Sequence, residues 1–207
     1  NYIVSQIVYI LENPFMPDII KIGFTEKSLE KRLSSLYNSS VPVPFECYFA
    51  AEVDDARDIE SLLHQAFGDL RVNNSREFFR VSPENVRILL ERFGTEIEVG
   101  NLDIPNEDKN ALNKAVSEAR SIREAFNFKM VSIEPGSELV FLRDENETAV
   151  VLDHKKITHR NSETSLSAAA LLLLNEMGSA RTTVAGPLFW KYEGEILSDL
   201  RNRMERS

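Results

Sequence analysis

The stretch from residue 7 to residue 23, "IVYILENPFMPDIIKIG", constrains the fold more than any other part of the chain. Two apolar runs, Ile7 to Leu11 and Ile19 to Ile22, are joined by a loop that holds Pro14 and Pro17. They read as a strand pair over residues 3–11 and 18–24, with the Asn and Pro residues of the loop forming the turn. Each strand carries one residue that packing alone does not ask for, Tyr9 in the first and Lys21 in the second.

The pattern then alternates between helix and strand. Ser28 is placed to cap a helix in which Leu29, Leu33, Leu36 and Tyr37 share one face. "VPVPF" ends it, and "FECYFAAEV" reads as a third strand. In "ARDIESLLHQAFGDL" the residues Ile59, Leu62, Leu63, Ala66, Phe67 and Leu70 form a wide apolar helical face. "REFFRV" reads as a short strand or turn, and "SPENVRILLERFG" as a helix with Ser82 as cap, Pro83 in its first turn and Gly94 as its stop. From 94 to 108 the chain turns polar without a clear period, and a charged amphipathic helix follows from about 107 to 126. The remaining residues read as strands near 138–143 and 148–153, a helix "SLSAAALLLLNEM" and a final stretch containing "GPLFWKY". The expected fold class is α+β, with a first domain over residues 1–98, a linker and connecting helix over 99–128, and a second domain over 129–207.

Composition is that of a globular protein: 43% hydrophobic and 28% charged residues, with no low-complexity tract. The longest apolar run, Leu166 to Leu174, is interrupted by Ser167 and is well short of the roughly 20 residues a membrane span needs. A single cysteine, Cys47, rules out an internal disulfide and fits a reducing, cytoplasmic setting. The net charge of −9 weighs against bulk electrostatic attraction to nucleic acid. A local cationic groove remains open to such a chain: residues 71–92 hold Arg71, Arg76, Arg80, Arg87 and Arg92 against Glu77, Glu84 and Glu91, and Arg71, Arg76 and Arg80 are the candidates to touch DNA.

Placed on their elements, several polar residues fall where they can share one sheet face. Arg32 sits at the margin of the first helix's apolar stripe, and Glu60 and His64 lie four apart on one side of the second helix. With Tyr9 and Lys21 they make a set suited to phosphodiester hydrolysis. An arginine matches phosphate geometry and keeps its charge. One carboxylate can hold Mg²⁺, which keeps most of its waters and takes further ligands from substrate phosphate. A tyrosine is a poor base at its ordinary pKa of about 10, and a neighbouring lysine would favour its phenolate, so Tyr9 and Lys21 read as a pair. Each residue alone has an ordinary explanation as a strand, edge or solvated helix position.

"IVY" at 7–9, "KIG" at 21–23, Arg32 in "EKRL", Glu60 in "IESLLHQAF" and "REFF" at 76–79 occur in the order found in the GIY-YIG nuclease superfamily. The chain resembles most closely the phage-derived branch shared with meiotically up-regulated fungal proteins, over about residues 3–93. The resemblance implies a nuclease using one divalent metal, Mg²⁺ or Mn²⁺. In it Tyr9 lies near the attacking water, Lys21 takes the place of the second tyrosine, Arg32 binds phosphate and Glu60 holds the metal, with Glu77 the alternative ligand. The glycine of the first signature is absent.

Residues 129–201 are similar to the module called RAMA, restriction-enzyme adenine-methylase associated, through "EPGSEL", "TAVV", "KKI", "SLSAAA" and "GPLFWKY". That likeness implies DNA recognition, with Trp190 as a stacking residue, although aromatics in "LFWKY" serve equally well as core. Residues 129–207 carry 10 basic and 12 acidic side chains, so charge adds no support. The expectation is a metal-dependent DNA endonuclease in restriction or phage defence, with DNA as partner, no membrane, and a homodimer compatible with the reading. The alternative is a silent DNA-binding or protein-docking module on the same fold.

Overall fold

Strand β1 (Ile7–Glu12) is apolar at nearly every position because both of its faces are covered. In this computed structural model, which describes residues 6–100 and 109–207, the chain divides into two units, Asn1–Glu124 and Ala125–Ser207. Both are α+β, each built on an antiparallel sheet. Residues 3–5 of the expected first strand and 107–108 of the expected connecting helix lie outside the described residues. No described helix is long and apolar enough to cross a membrane.

In the first unit β1 is the centre of a five-stranded sheet, ordered β4, β2, β1, β3, β5. The flanking strands are β2 (Ile20–Thr25) and β3 (Glu46–Val53), and the edges are the short β4 (Phe78–Phe79) and β5 (Gly94–Glu96). Alternation along β1 sends Val8 and Ile10 to one side, where α2 (Ala56–Ala66) and α3 (Pro83–Leu90) bring Ala56, Leu63, Val86 and Leu90. Ile7, Tyr9 and Leu11 go to the other side, where α1 (Leu29–Leu36) brings Leu29 and Leu33. Ser28 caps α1 by accepting from Lys31 N–H, and Asp55 caps α2 by accepting from Asp58 N–H. A further helix, α4 (Lys109–Ile122), buries none of its side chains.

Three local expectations are corrected. The second helix ends at Ala66 and a 3₁₀ turn, Gly68–Leu70, follows, which leaves Leu70 exposed; Leu62, inside the helix, also faces solvent and not the core. Ser82 occupies the cap position of α3 without making a cap bond. Gly94 does not simply stop a helix: it opens β5, within the stretch that lacks a sequence period. A Cβ there would sit 2.2 Å from the Glu52 carbonyl oxygen, so only glycine lets this edge strand reach β3.

The second unit is a six-stranded sheet ordered β11, β10, β6, β7, β8, β9. Its strands are β6 (Glu138–Phe141), β7 (Asp144–Val151), β8 (Lys156–His159), β9 (Ser162–Ser165), β10 (Trp190–Tyr192) and β11 (Glu195–Ile196). Two helices, α5 (Leu166–Glu176) and α6 (Leu197–Glu205), complete its core. Trp190 lies at the middle of that core, 0% exposed, with its indole N–H donating to Leu166 C=O at 3.0 Å and its ring edge-on to Phe141. It therefore has no face to offer a base, and the DNA-stacking expectation for Trp190 is withdrawn. Trp190→Ala is expected to unfold this unit selectively, costing about 3–5 kcal/mol. Chemical denaturation followed by circular dichroism checks this, and an unchanged unfolding curve would show the core does not depend on it.

Candidate active site

The site grows from the pairing of β1 with β2. Tyr9 stands opposite Gly23 and Leu11 opposite Lys21, so Tyr9, Gly23 and Lys21 share the face covered by α1. The Tyr9 ring lies directly over Gly23. A Cβ at position 23 would fall 2.6 Å from the phenol oxygen and 2.8 Å from Cε2 and Cζ. Tyr9 is 0% exposed, and a hydroxyl buried to that degree needs a partner. Arg32 supplies it from α1, its Nε–H donating to Tyr9 Oη at 3.0 Å.

This partnership corrects the expected Tyr9–Lys21 pair. Burial pushes the Tyr9 phenol above its ordinary pKa; the Arg32 bond and charge oppose that, while the charges of Glu77 and Glu60 add to it. The phenol is thus neutral near pH 7 and its own O–H remains available to donate. Lys21 is instead ion-paired with Glu77, and its ammonium lies 5.3 Å from the Phe78 ring centroid. Burial alone would raise Glu77, but the Lys21 hydrogen bond and charge, with help from His64 and Arg32, outweigh it and hold the carboxyl low.

The second helix approaches from the other side of the sheet and meets the same group of charges at the β2 edge. Strand β4 pairs with β2 at Ile20 and Lys21. Beyond that, Ile22 N–H donates to Glu77 C=O at 3.2 Å, and Ile22 C=O is 3.0 Å from His64 Nε2. A carbonyl can only accept, so Nε2 carries the hydrogen and Nδ1 is the basic atom of the ring. Burial lowers the His64 pKa, offset in part by the Ile22 bond. The ring also packs on Phe79, with centroids 5.0 Å apart.

Glu60, one turn earlier on α2, is the unbalanced charge of the site. His64 Nε2 is 3.8 Å from its carboxylate, too long for a hydrogen bond and already committed to Ile22. Burial and the Glu77 charge raise Glu60 to about 7 against the combined pull of Lys21, Arg71 and Arg57. A half-buried carboxylate that burial holds toward its neutral form could take a divalent cation as its counter-charge, the other positions being left to water and phosphate. Glu77, already neutralised by Lys21, fits that role less well. Among the described residues no cluster of three or more His, Cys, Asp or Glu is placed to hold a metal, so any cation here would rest on few protein ligands.

The three arginines expected to touch DNA lie on one small hairpin beside this edge. Arg71 bridges Phe79, its Nε–H donating to Arg76 C=O at 2.7 Å and its guanidinium 5.5 Å from the Phe79 ring. Arg76 and Arg80 are exposed. Sequence reasoning missed Gly23 as the seat of Tyr9 and Arg57 as a neighbour of Glu60. The glycine was findable, since it stands two residues beyond Lys21 and the strand pairing puts it opposite Tyr9. The Lys21–Glu77 pair was not, because the two are 56 residues apart.

The site thus sets a small antiparallel sheet with a buried tyrosine beside an arginine on α1 and a carboxylate on α2. Residues 6–94 match the T5orf172 domain, a phage-associated domain of the GIY-YIG nuclease-like kind. The match does not extend into the second unit. No curated protein and no solved structure matches the chain.

Two outcomes follow. Gly23→Ala should displace the Tyr9 ring and cost more in site function than in fold, and an ultraviolet titration should show a lowered tyrosine pKa as the phenol becomes wetter; an unchanged titration would mean that the ring is not seated on this glycine. For Glu60, the unfolded carboxyl titrates near 4.5 and the folded one near 7. Between those values the folded protein holds a proton the unfolded chain has released, so stability declines as pH rises and the penalty is complete above 7. Glu60→Gln should therefore raise Tm in chelator by roughly 2 °C or more above pH 7, and hardly at all near pH 4.5. An equal shift at both pH values would contradict the assignment.

Proposed function

We propose that the first unit hydrolyses phosphodiester bonds in DNA with one divalent metal, Mg²⁺ or Mn²⁺, held by Glu60. The observation that carries this reading is the approach of a half-buried carboxylate on α2 to a buried, arginine-bound tyrosine on the central strand, within the stretch that matches the T5orf172 domain. When bound, the metal would supply Lewis-acid stabilisation to a phosphoryl oxygen and a water acidic enough to react near neutral pH.

The chain's own groups would divide the remaining work. Arg32 stays charged and offers its remaining N–H donors to a phosphoryl oxygen, offsetting the charge that grows there. Tyr9, buried and bound by Arg32, would hold that guanidinium in place against the phosphate and would not itself reach the water. His64, neutral with Nδ1 basic, would accept the water's proton. Lys21 and Glu77 act as a locked pair that closes the edge and keeps Glu77 from competing for the metal. Arg71, Arg76 and Arg80 would hold the flanking backbone. A role for residues 129–207 in directing this activity to DNA, modified or not, rests on the RAMA-like sequence pattern, and a place in restriction or phage defence is part of the same reading.

A second reading, a domain that grips DNA without cutting, draws on the neutralisation of Lys21 by Glu77. Incubation with supercoiled plasmid and Mg²⁺ or Mn²⁺ separates the two. Nicking by wild type that falls about 100-fold or more in Arg32→Ala and in Glu60→Ala supports hydrolysis at this site. No nicking with any metal, or undiminished nicking by both variants, would refute it.

A further inference from the structure

Arg57 lies on the same stripe of α2 as Glu60 and His64, at positions i, i+3 and i+7. It is exposed, its guanidinium sits 5.6 Å from the Phe24 ring, and its charge acts on Glu60. Among the described residues it has no carboxylate ion partner. Arg71 has the same kind of support at the opposite end of the edge, over Phe79. The register orders these seats, since Phe24 is near the end of β2 and Phe79 pairs with Ile20 at its start. Four residues of strand separate the two, a distance of about 13 Å. Glu60 and His64 lie between them.

We propose that Arg57 and Arg71 are the two ends of a backbone track, each taking a phosphate on opposite sides of the one bound at Glu60 and Arg32. This deepens the proposed nuclease reading and rests on it for the central phosphate. An aromatic seat restricts a long side chain before any ligand arrives, so less rotamer freedom is lost on binding. Duplex DNA rises 3.4 Å per nucleotide along its axis, so the track spans about four nucleotides. The arginines between Glu77 and Arg92 do not share this geometry. Arg87, for example, lies 4.5 Å from the Phe49 ring and is tied to Glu91 and Glu96.

The test is binding of a fluorescent duplex to the full chain in EDTA, read by anisotropy between about 50 and 200 mM salt. Arg57→Ala and Arg71→Ala should each weaken binding several-fold and reduce the slope of log affinity against log salt by about 1. Phe24→Leu, which keeps the charge and removes the seat, should weaken binding while leaving the slope unchanged. In active protein KM for DNA should rise in Arg57→Ala. An unchanged slope in Arg57→Ala overturns the track, as does failure of wild type to bind duplex. Arginine-dependent binding without any nicking would instead leave the track standing and remove the nuclease reading.

Discussion

The hydroxyl of Tyr9 has no access to solvent, and much of the first unit is arranged around satisfying it. A polar group buried on the central strand of a sheet costs free energy unless a partner meets it there. Arg32 can do so only if α1 packs across β1 with Leu29 and Leu33 in the core, which brings a permanent charge to the same surface. Gly23 leaves room for the ring on the neighbouring strand. One hydrogen bond therefore couples strand pairing, helix placement and the electrostatics of the site.

The charges around that bond divide unequally. Lys21 and Glu77 neutralise each other, and Arg32 is occupied on one side by a neutral phenol. Glu60 is left as a carboxylate whose surroundings favour its protonated form. A stable resting fold gains nothing from such a group, whereas a site meant to receive a cation does. The same imbalance explains why the acidic total charge of the chain is a poor guide to what this edge can bind, since arginines flank Glu60 at either end of β2.

The α+β class and the succession of elements in the first unit were legible because apolar periodicity changes from strand to helix at capped boundaries such as Ser28 and Asp55. Residue order suggested that Tyr9, Arg32, Glu60 and His64 share one sheet face, but Tyr9 packs with α1 on one side of the sheet and α2, which carries Glu60 and His64, packs on the other. What escaped was set by tertiary contact. Lys21 looked like the partner of Tyr9 because they share a strand pair, yet Glu77 lies closer in space across β4. Trp190 looked like a stacking surface because "LFWKY" is rich in aromatics, and only the path of β10 through the core shows its indole N–H bound to Leu166. Strand β5 carries no period since three residues are too few to show one, and its presence depends on a close approach that Gly94 alone allows.

Glu60, and not Glu77, is the carboxylate we propose to receive the metal. Mn²⁺ binding measured by electron paramagnetic resonance, in the presence of a duplex with a non-hydrolysable backbone, tests this most directly. Wild type and Glu77→Gln should bind the ion, and Glu60→Gln should lose it. Retention of Mn²⁺ by Glu60→Gln, with loss in Glu77→Gln, would contradict it.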